Sequence, residues 1–88
     1  MQRTTVRLDN RLGMHARLAY SLADLCARFD CEIRLGFGDA RANAKSMMEI
    51  LELGAGPGET LTLETSGPGS DATLNELVRF FDTEAKTL

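Results

Sequence analysis

Three observations predict an α+β fold with helices on one face of a sheet. Residues 3–9, 31–36 and 60–65 alternate polar and apolar side chains with the period of a half-buried strand. Between and after them, residues 16–29 and 70–85 carry apolar side chains at helical spacing. The whole chain is 88 residues, room for one domain and one modest core. Hydrophobic residues at 43% and charged residues at 26% are ordinary globular values, which argues against disorder.

Each element has a local cause. In the first strand Val6 and Leu8 share one face while Arg3, Thr5, Arg7 and Asp9 share the other. Asn10 to Gly13 reads as a loop. The first helix then buries Ala19, Leu22, Ala23, Cys26 and Phe29. Cys31, Ile33 and Leu35 point inward from the second strand, with Glu32 and Arg34 outward. Gly36-Phe37-Gly38-Asp39 predicts a hairpin turn into a short strand at about 40–43. Ser46 is a good N-cap for a short helix over Met47–Leu53 that Gly54 stops. Thr60–Thr65 forms the last strand, with Leu61 and Leu63 inward. After the turn Ser66-Gly67-Pro68-Gly69, Ser70 is expected to cap a final helix with the stripe Leu74, Leu77, Val78, Phe81 and Ala85. The order is β-α-β-β-α-β-α, one sheet face covered and the other solvated.

Composition excludes several function classes. No apolar run approaches the length of a bilayer span, and the start MQRTTVRLDN has no apolar signal core, so no membrane insertion and a cytoplasmic location are expected. One histidine and two cysteines, Cys26 and Cys31, without a CxxC spacing give no metal motif and no disulfide framework. No cofactor is implied. The net charge of −3 argues against nucleic acid as a partner. That charge is uneven: residues 1–45 sum to +3 and residues 46–88 to −6. Such a division suits an anionic ligand near the basic half, and it equally suits ordinary solvated faces. A monomer is the expectation.

The one histidine, His15, lies in Gly13-Met14-His15-Ala16-Arg17 at the predicted start of the first helix. A helix start presents unpaired N–H groups and a positive partial charge, which favour a phosphate. The Arg17 guanidinium, reachable from the same turn, can bond phosphate oxygens in pairs. A histidine there can act as a nucleophile toward a phosphoryl group. Taken locally, a plain cap or loop histidine fits the same residues.

Two motifs extend the argument. Gly13-Met14-His15-Ala16-Arg17 resembles the active-site signature of HPr, the histidine-containing phosphocarrier family of the phosphoenolpyruvate-dependent phosphotransferase system. Asn43-Ala44-Lys45-Ser46-Met47-Met48-Glu49-Ile50-Leu51 resembles the family's regulatory serine segment. The glycine-rich Leu53–Gly58 stretch, with the strand after it, is a third likeness. The resemblance spans essentially the whole chain. It implies an open-faced β-sandwich, a four-stranded antiparallel sheet covered on one face by three helices. It implies a carrier rather than a turnover enzyme, with His15 taking a phosphoryl group at Nδ1 from enzyme I and passing it to enzyme IIA proteins. Arg17 would steady the phosphate.

By the same resemblance, Ser46 would be a regulatory phosphoserine made by an HPr kinase/phosphorylase. A phosphate at a helix N-terminus would add about two negative charges to a docking face. A plain N-cap is the alternative, and both can hold together. Tyr20, Met47, Met48 and Leu51 are candidates for the partner-docking patch, with Arg11, Arg17 and Lys45 steering acidic surfaces. The chain departs from the family at Leu18, where proline is usual, at Leu12, where a small polar residue is common, and at Glu49 and Glu52, where small or neutral residues are common. These departures leave a nitrogen-regulatory paralogue as the alternative to sugar uptake. A regulatory binding module working through Ser46, with His15 silent, is the competing class. An RNA-binding domain and a small hydrolase find little support, lacking stacking aromatics and an acid–base pair.

Overall fold

The computed structural model describes residues 1–88. The elements run β1 (Gln2–Arg7), α1 (Ala16–Cys26), β2 (Glu32–Phe37), β3 (Ala40–Asn43), α2 (Met47–Glu52), β4 (Thr60–Ser66), α3 (Ser70–Asp82) and α4 (Glu84–Thr87). The four strands form one sheet in the order β1-β4-β2-β3, and every pairing is antiparallel. β4 therefore lies inside the sheet, with Leu63 opposite Thr4 on one side and Leu35 on the other.

The alternation sets the layers. Val6, Ile33, Leu35, Leu61 and Leu63 are buried on the face that the helices cover, and Leu18, Leu22, Cys26, Ile50, Leu77 and Phe81 join them in one core. Burial of these side chains is the main drive for the fold. Arg3, Arg7, Glu32 and Arg34 occupy the solvated face, where Arg3 pairs with Glu64 across β1 and β4. The arrangement is the expected open-faced sandwich.

Several local expectations need correction. The first helix ends at Cys26 rather than Phe29, because Arg28 and Phe29 bond back to the carbonyls of Leu25 and Cys26 in a tightening last turn. Phe29 is only partly buried, packed on the edge of the core. Ser70 is the first residue of α3 and does not cap it; Gly69 holds the cap position at φ +72°. The Ser70 carbonyl instead accepts the hydroxyl of buried Thr65 at 2.9 Å. The final helix is broken at Thr83, whose backbone leaves the helical region at φ −123°, ψ −85° and starts α4. The stripe of α3 also shifts: Thr73, Leu77, Phe80 and Phe81 are buried, while Leu74 and Val78 lie at the margin.

Candidate functional site

His15 is the N-cap residue of α1, with extended backbone at φ −119°, ψ 176°, and its carbonyl accepts the first helical bond from the Ala19 N–H at 2.9 Å. Its side chain caps nothing. The first-turn N–H groups, Ala16 and Arg17 among them, have no side-chain acceptor and are left for water or an anion. No acidic residue occupies that turn, so the positive end of the helix is not neutralised from within.

The loop before His15 is fixed by backbone as well as side chain. Buried Asn10 donates its Nδ2 to the Gly13 carbonyl at 2.8 Å, and the Met14 N–H reaches the Ala55 carbonyl at 3.0 Å. Gly13 sits at φ +68°, where a side chain is disfavoured, and a Cβ there would come within 2.7 Å of the Gly56 carbonyl carbon and the Pro57 nitrogen. The 53–58 loop is thus the floor on which the histidine loop rests. Asn10 and Gly13 build the site without facing a ligand.

The imidazole is half-buried and has one polar partner. Its Nε2 lies 2.7 Å from the backbone oxygen of Leu88, which follows α4. That oxygen can only accept, so Nε2 carries the hydrogen. The neutral ring then bears its lone pair on Nδ1. Leu88 was invisible as a site residue in the sequence, because 73 positions separate it from His15. Only the long-range fold of α3 and α4 brings it there.

Arg17 stands in the first turn of α1, exposed and free of any ion pair with a carboxylate. Leu18, next to it, is fully buried in the core. The turn that proline would stiffen through its fixed φ is held here by an apolar anchor instead.

Ser46 is the N-cap of α2, its Oγ accepting the Glu49 N–H at 3.3 Å. The Glu49 carboxylate in turn accepts the Asn43 N–H at 3.0 Å. A negative group therefore already stands in the first turn of α2.

The docking candidates separate. Tyr20 on α1 and Met48 on α2 are 62% and 68% exposed, on two helices that pack together. Met47 and Leu51 are partly buried against the core. Arg11 is exposed on the histidine loop. Lys45 is half-buried and donates its Nζ to the Phe29 carbonyl at 2.6 Å, which commits its charge to the end of α1.

A depression of about 410 Å³ lies apart from this site, between the solvated side of β2 and β3 and the start of α2. Its lining mixes Asp30, Glu32 and Glu49 with Arg34, Arg41 and Lys45, a balanced set with no bias toward an anion. No helix of the molecule is long and apolar enough to cross a membrane. No cluster of three or more His, Cys, Asp or Glu side chains is placed to hold a metal ion.

A family model described as the phosphorylation site of the HPr component of the phosphotransferase system matches residues 2–83. The chain belongs to the HPr family of phosphocarrier proteins. It is 40% identical to the phosphocarrier protein HPr of Treponema pallidum over 80 residues, covering 91% of each chain. It is 39% identical to the phosphocarrier protein NPr of Shewanella violacea over 79 residues, covering 90% of this chain and 87% of that one. Among solved structures, HPr of Thermoanaerobacter tengcongensis superposes with a TM-score of 0.91 at 27% identity, over 97% of this chain and 96% of that one.

Proposed function

We propose that this HPr-family chain carries a phosphoryl group on Nδ1 of His15, accepting it from phospho-enzyme I and passing it to an enzyme IIA protein. The observation that carries this reading is the hydrogen bond from Nε2 to the Leu88 oxygen, which leaves the lone pair on Nδ1 beside the uncapped start of α1. In the transfer, that lone pair forms a bond to phosphorus while the bond from phosphorus to the donor breaks, its electron pair staying with the donor. The proton on Nε2 is retained, and the Leu88 oxygen supports the positive character that the ring gains. Arg17 and the first-turn N–H groups hold the phosphoryl oxygens. Onward transfer reverses these steps. The chain supplies no nucleotide site and acts stoichiometrically, as a carrier rather than an enzyme.

Tyr20, Met47 and Met48 offer the partner an apolar landing surface, which suits a carrier that must meet both donor and acceptor. At Ser46 the capping role is the one the geometry supports. The Glu49 carboxylate in the same turn opposes the added charge of a phosphate, which works against control by an HPr kinase/phosphorylase. The relatives at nearly equal identity bear both the HPr and the NPr names, so service to sugar uptake and service to a nitrogen-regulatory branch both fit.

Intact-mass measurement after incubation with enzyme I, magnesium and phosphoenolpyruvate tests the carrier chemistry. One acid-labile phosphoryl group is expected, and none on His15→Ala. No gain with any enzyme I paralogue of the same cell would overturn the reading in favour of a binding module.

A further inference from the structure

A second depression, of about 290 Å³, opens between the histidine loop and the C-terminal turn, lined by Arg11, Leu12, Lys86, Thr87 and Leu88. Both charged side chains in this lining are cations. Neither forms an ion pair with a carboxylate, although the chain as a whole is acidic. Leu12 is 64% exposed, on a loop that the Asn10 and Met14 hydrogen bonds fix in place. A large apolar side chain held out in water on a pinned loop, with cations around it, has the composition of an interface anchor. The depression also adjoins the chemistry, because its Leu88 supplies the oxygen that holds His15 Nε2.

We propose that this depression is a second docking lobe for the phosphotransfer partner, whose matching surface is an apolar side chain flanked by carboxylates. The apolar group covers Leu12 and Leu88, and the carboxylates face Arg11 and Lys86. Charge selects this occupant. A second copy of the chain joined through the same patch would set cations against cations. A free small anion would leave Leu12 uncovered. The lobe is built from the histidine loop and the C-terminal turn, whereas the exposed apolar side chains Tyr20 and Met48 stand on α1 and α2. A partner that reaches both gains a second contact beside the imidazole, and partners that differ in their acidic rim are distinguished by that contact. This inference rests on the phosphocarrier reading.

The test uses the full chain, labelled with ¹⁵N and titrated with enzyme I from the same organism, alongside the variants Leu12→Ser and Lys86→Gln. Both changes are at exposed positions and leave the core intact, which circular dichroism verifies. Amide signals of residues 11, 12 and 86–88 are expected to shift together with those around Tyr20 and Met48. For phosphoryl transfer from enzyme I, each variant is expected to raise KM about fivefold with kcat unchanged, and Lys86→Gln to weaken the salt dependence. Shifts confined to α1 and α2, or KM values equal to the parent's, would overturn the lobe while leaving His15 chemistry in place. Shifts that grow with protein concentration alone would overturn it in favour of self-association. Failure of the parent chain to accept a phosphoryl group at all would remove the carrier reading, and the lobe with it.

Discussion

His15 and Leu88, 73 positions apart, meet through a 2.7 Å hydrogen bond from Nε2 to a backbone oxygen. This contact chooses the tautomer and turns the ring at once. Deleting Leu88 removes it. We expect ¹⁵N spectra of the parent to show Nε2 protonated, and the truncated chain to show both tautomers. The rate of phosphoryl acceptance should fall roughly threefold to tenfold, the worth of about 1 kcal/mol for one hydrogen bond. An unchanged tautomer ratio in the truncated chain would mean that something other than Leu88 orients the imidazole.

Arg17 offers a planar fork of donors, and that shape is distinct from charge alone. Arg17→Lys keeps the charge and loses the paired geometry. Arg17→Ala loses both. If the guanidinium bonds the phosphoryl group, alanine should slow transfer by roughly 10- to 100-fold, the range for a hydrogen bond to a charged group, with lysine intermediate. Rapid-quench kinetics resolve the three proteins. Stability should be nearly unaltered, since Arg17 is exposed and forms no ion pair with a carboxylate.

Gly13 joins fold and site. Its φ of +68° and the 2.7 Å approach that a Cβ would make to the 56–57 backbone both oppose any side chain. Gly13→Ala should cost about 1–3 kcal/mol, seen as a lower urea midpoint. It should also slow phosphorylation more than Gly38→Ala, where a Cβ meets nothing within 4 Å although φ is again positive. Equal effects of the two would show that φ alone, and not the contact beneath the histidine loop, matters.

The elements with a clear period were legible. Val6, Ile33 with Leu35, and Leu61 with Leu63 announced their strands, although the first strand stops at Arg7, short of Leu8, and Ser46 announced its helix. The placement of His15 and Arg17 together at the start of α1 was legible because it depends on one turn of local sequence. Phe80 escaped because it sits beside Phe81, and the period of one helix cannot tell which neighbour the sheet covers. The break at Thr83 carries neither glycine nor proline, so no local signal marked it. Leu88 escaped because its contact with His15 joins distant segments, and periodicity is silent about those; Asn10 escaped because its bond to Gly13 lies inside a loop that carries no period. Leu18 stands in the sequence as a departure from the family's usual proline, and its full burial gives it a packing role that the substitution alone does not suggest.

Ser46 should behave as a cap in solution. Ser46→Ala loses the acceptor for the Glu49 N–H and is expected to cost about 1 kcal/mol in a urea titration. Ser46→Asp retains a capping oxygen, but its charge stands in the same turn as the Glu49 carboxylate. Glu49→Gln should therefore stabilise the Ser46→Asp background more than the parent. A double-mutant cycle measures that difference, and a coupling of zero would show that Glu49 is no obstacle to a phosphate at this position.

Cys26 tests the core. Burial pushes its thiol from the ordinary 9.0 up to about 12, with Lys45 opposing the shift and Cys31 adding to it. Both cysteines are free and buried. The folded state thus holds the Cys26 proton more tightly than the unfolded chain does. Stability from this group is complete below pH 9 and declines as pH rises from about 9 toward about 12, because only the unfolded chain releases the proton there. Cys26→Ala should be less stable than the parent at pH 7 through lost packing, yet should lose less stability between pH 9 and 11. The same burial should keep a thiol-specific disulfide reagent from reacting with Cys26 at pH 8 until urea unfolds the chain. Rapid labelling of the native protein, located at Cys26 by mass spectrometry, would show that α1 opens locally near its end far more readily than a fully buried position implies.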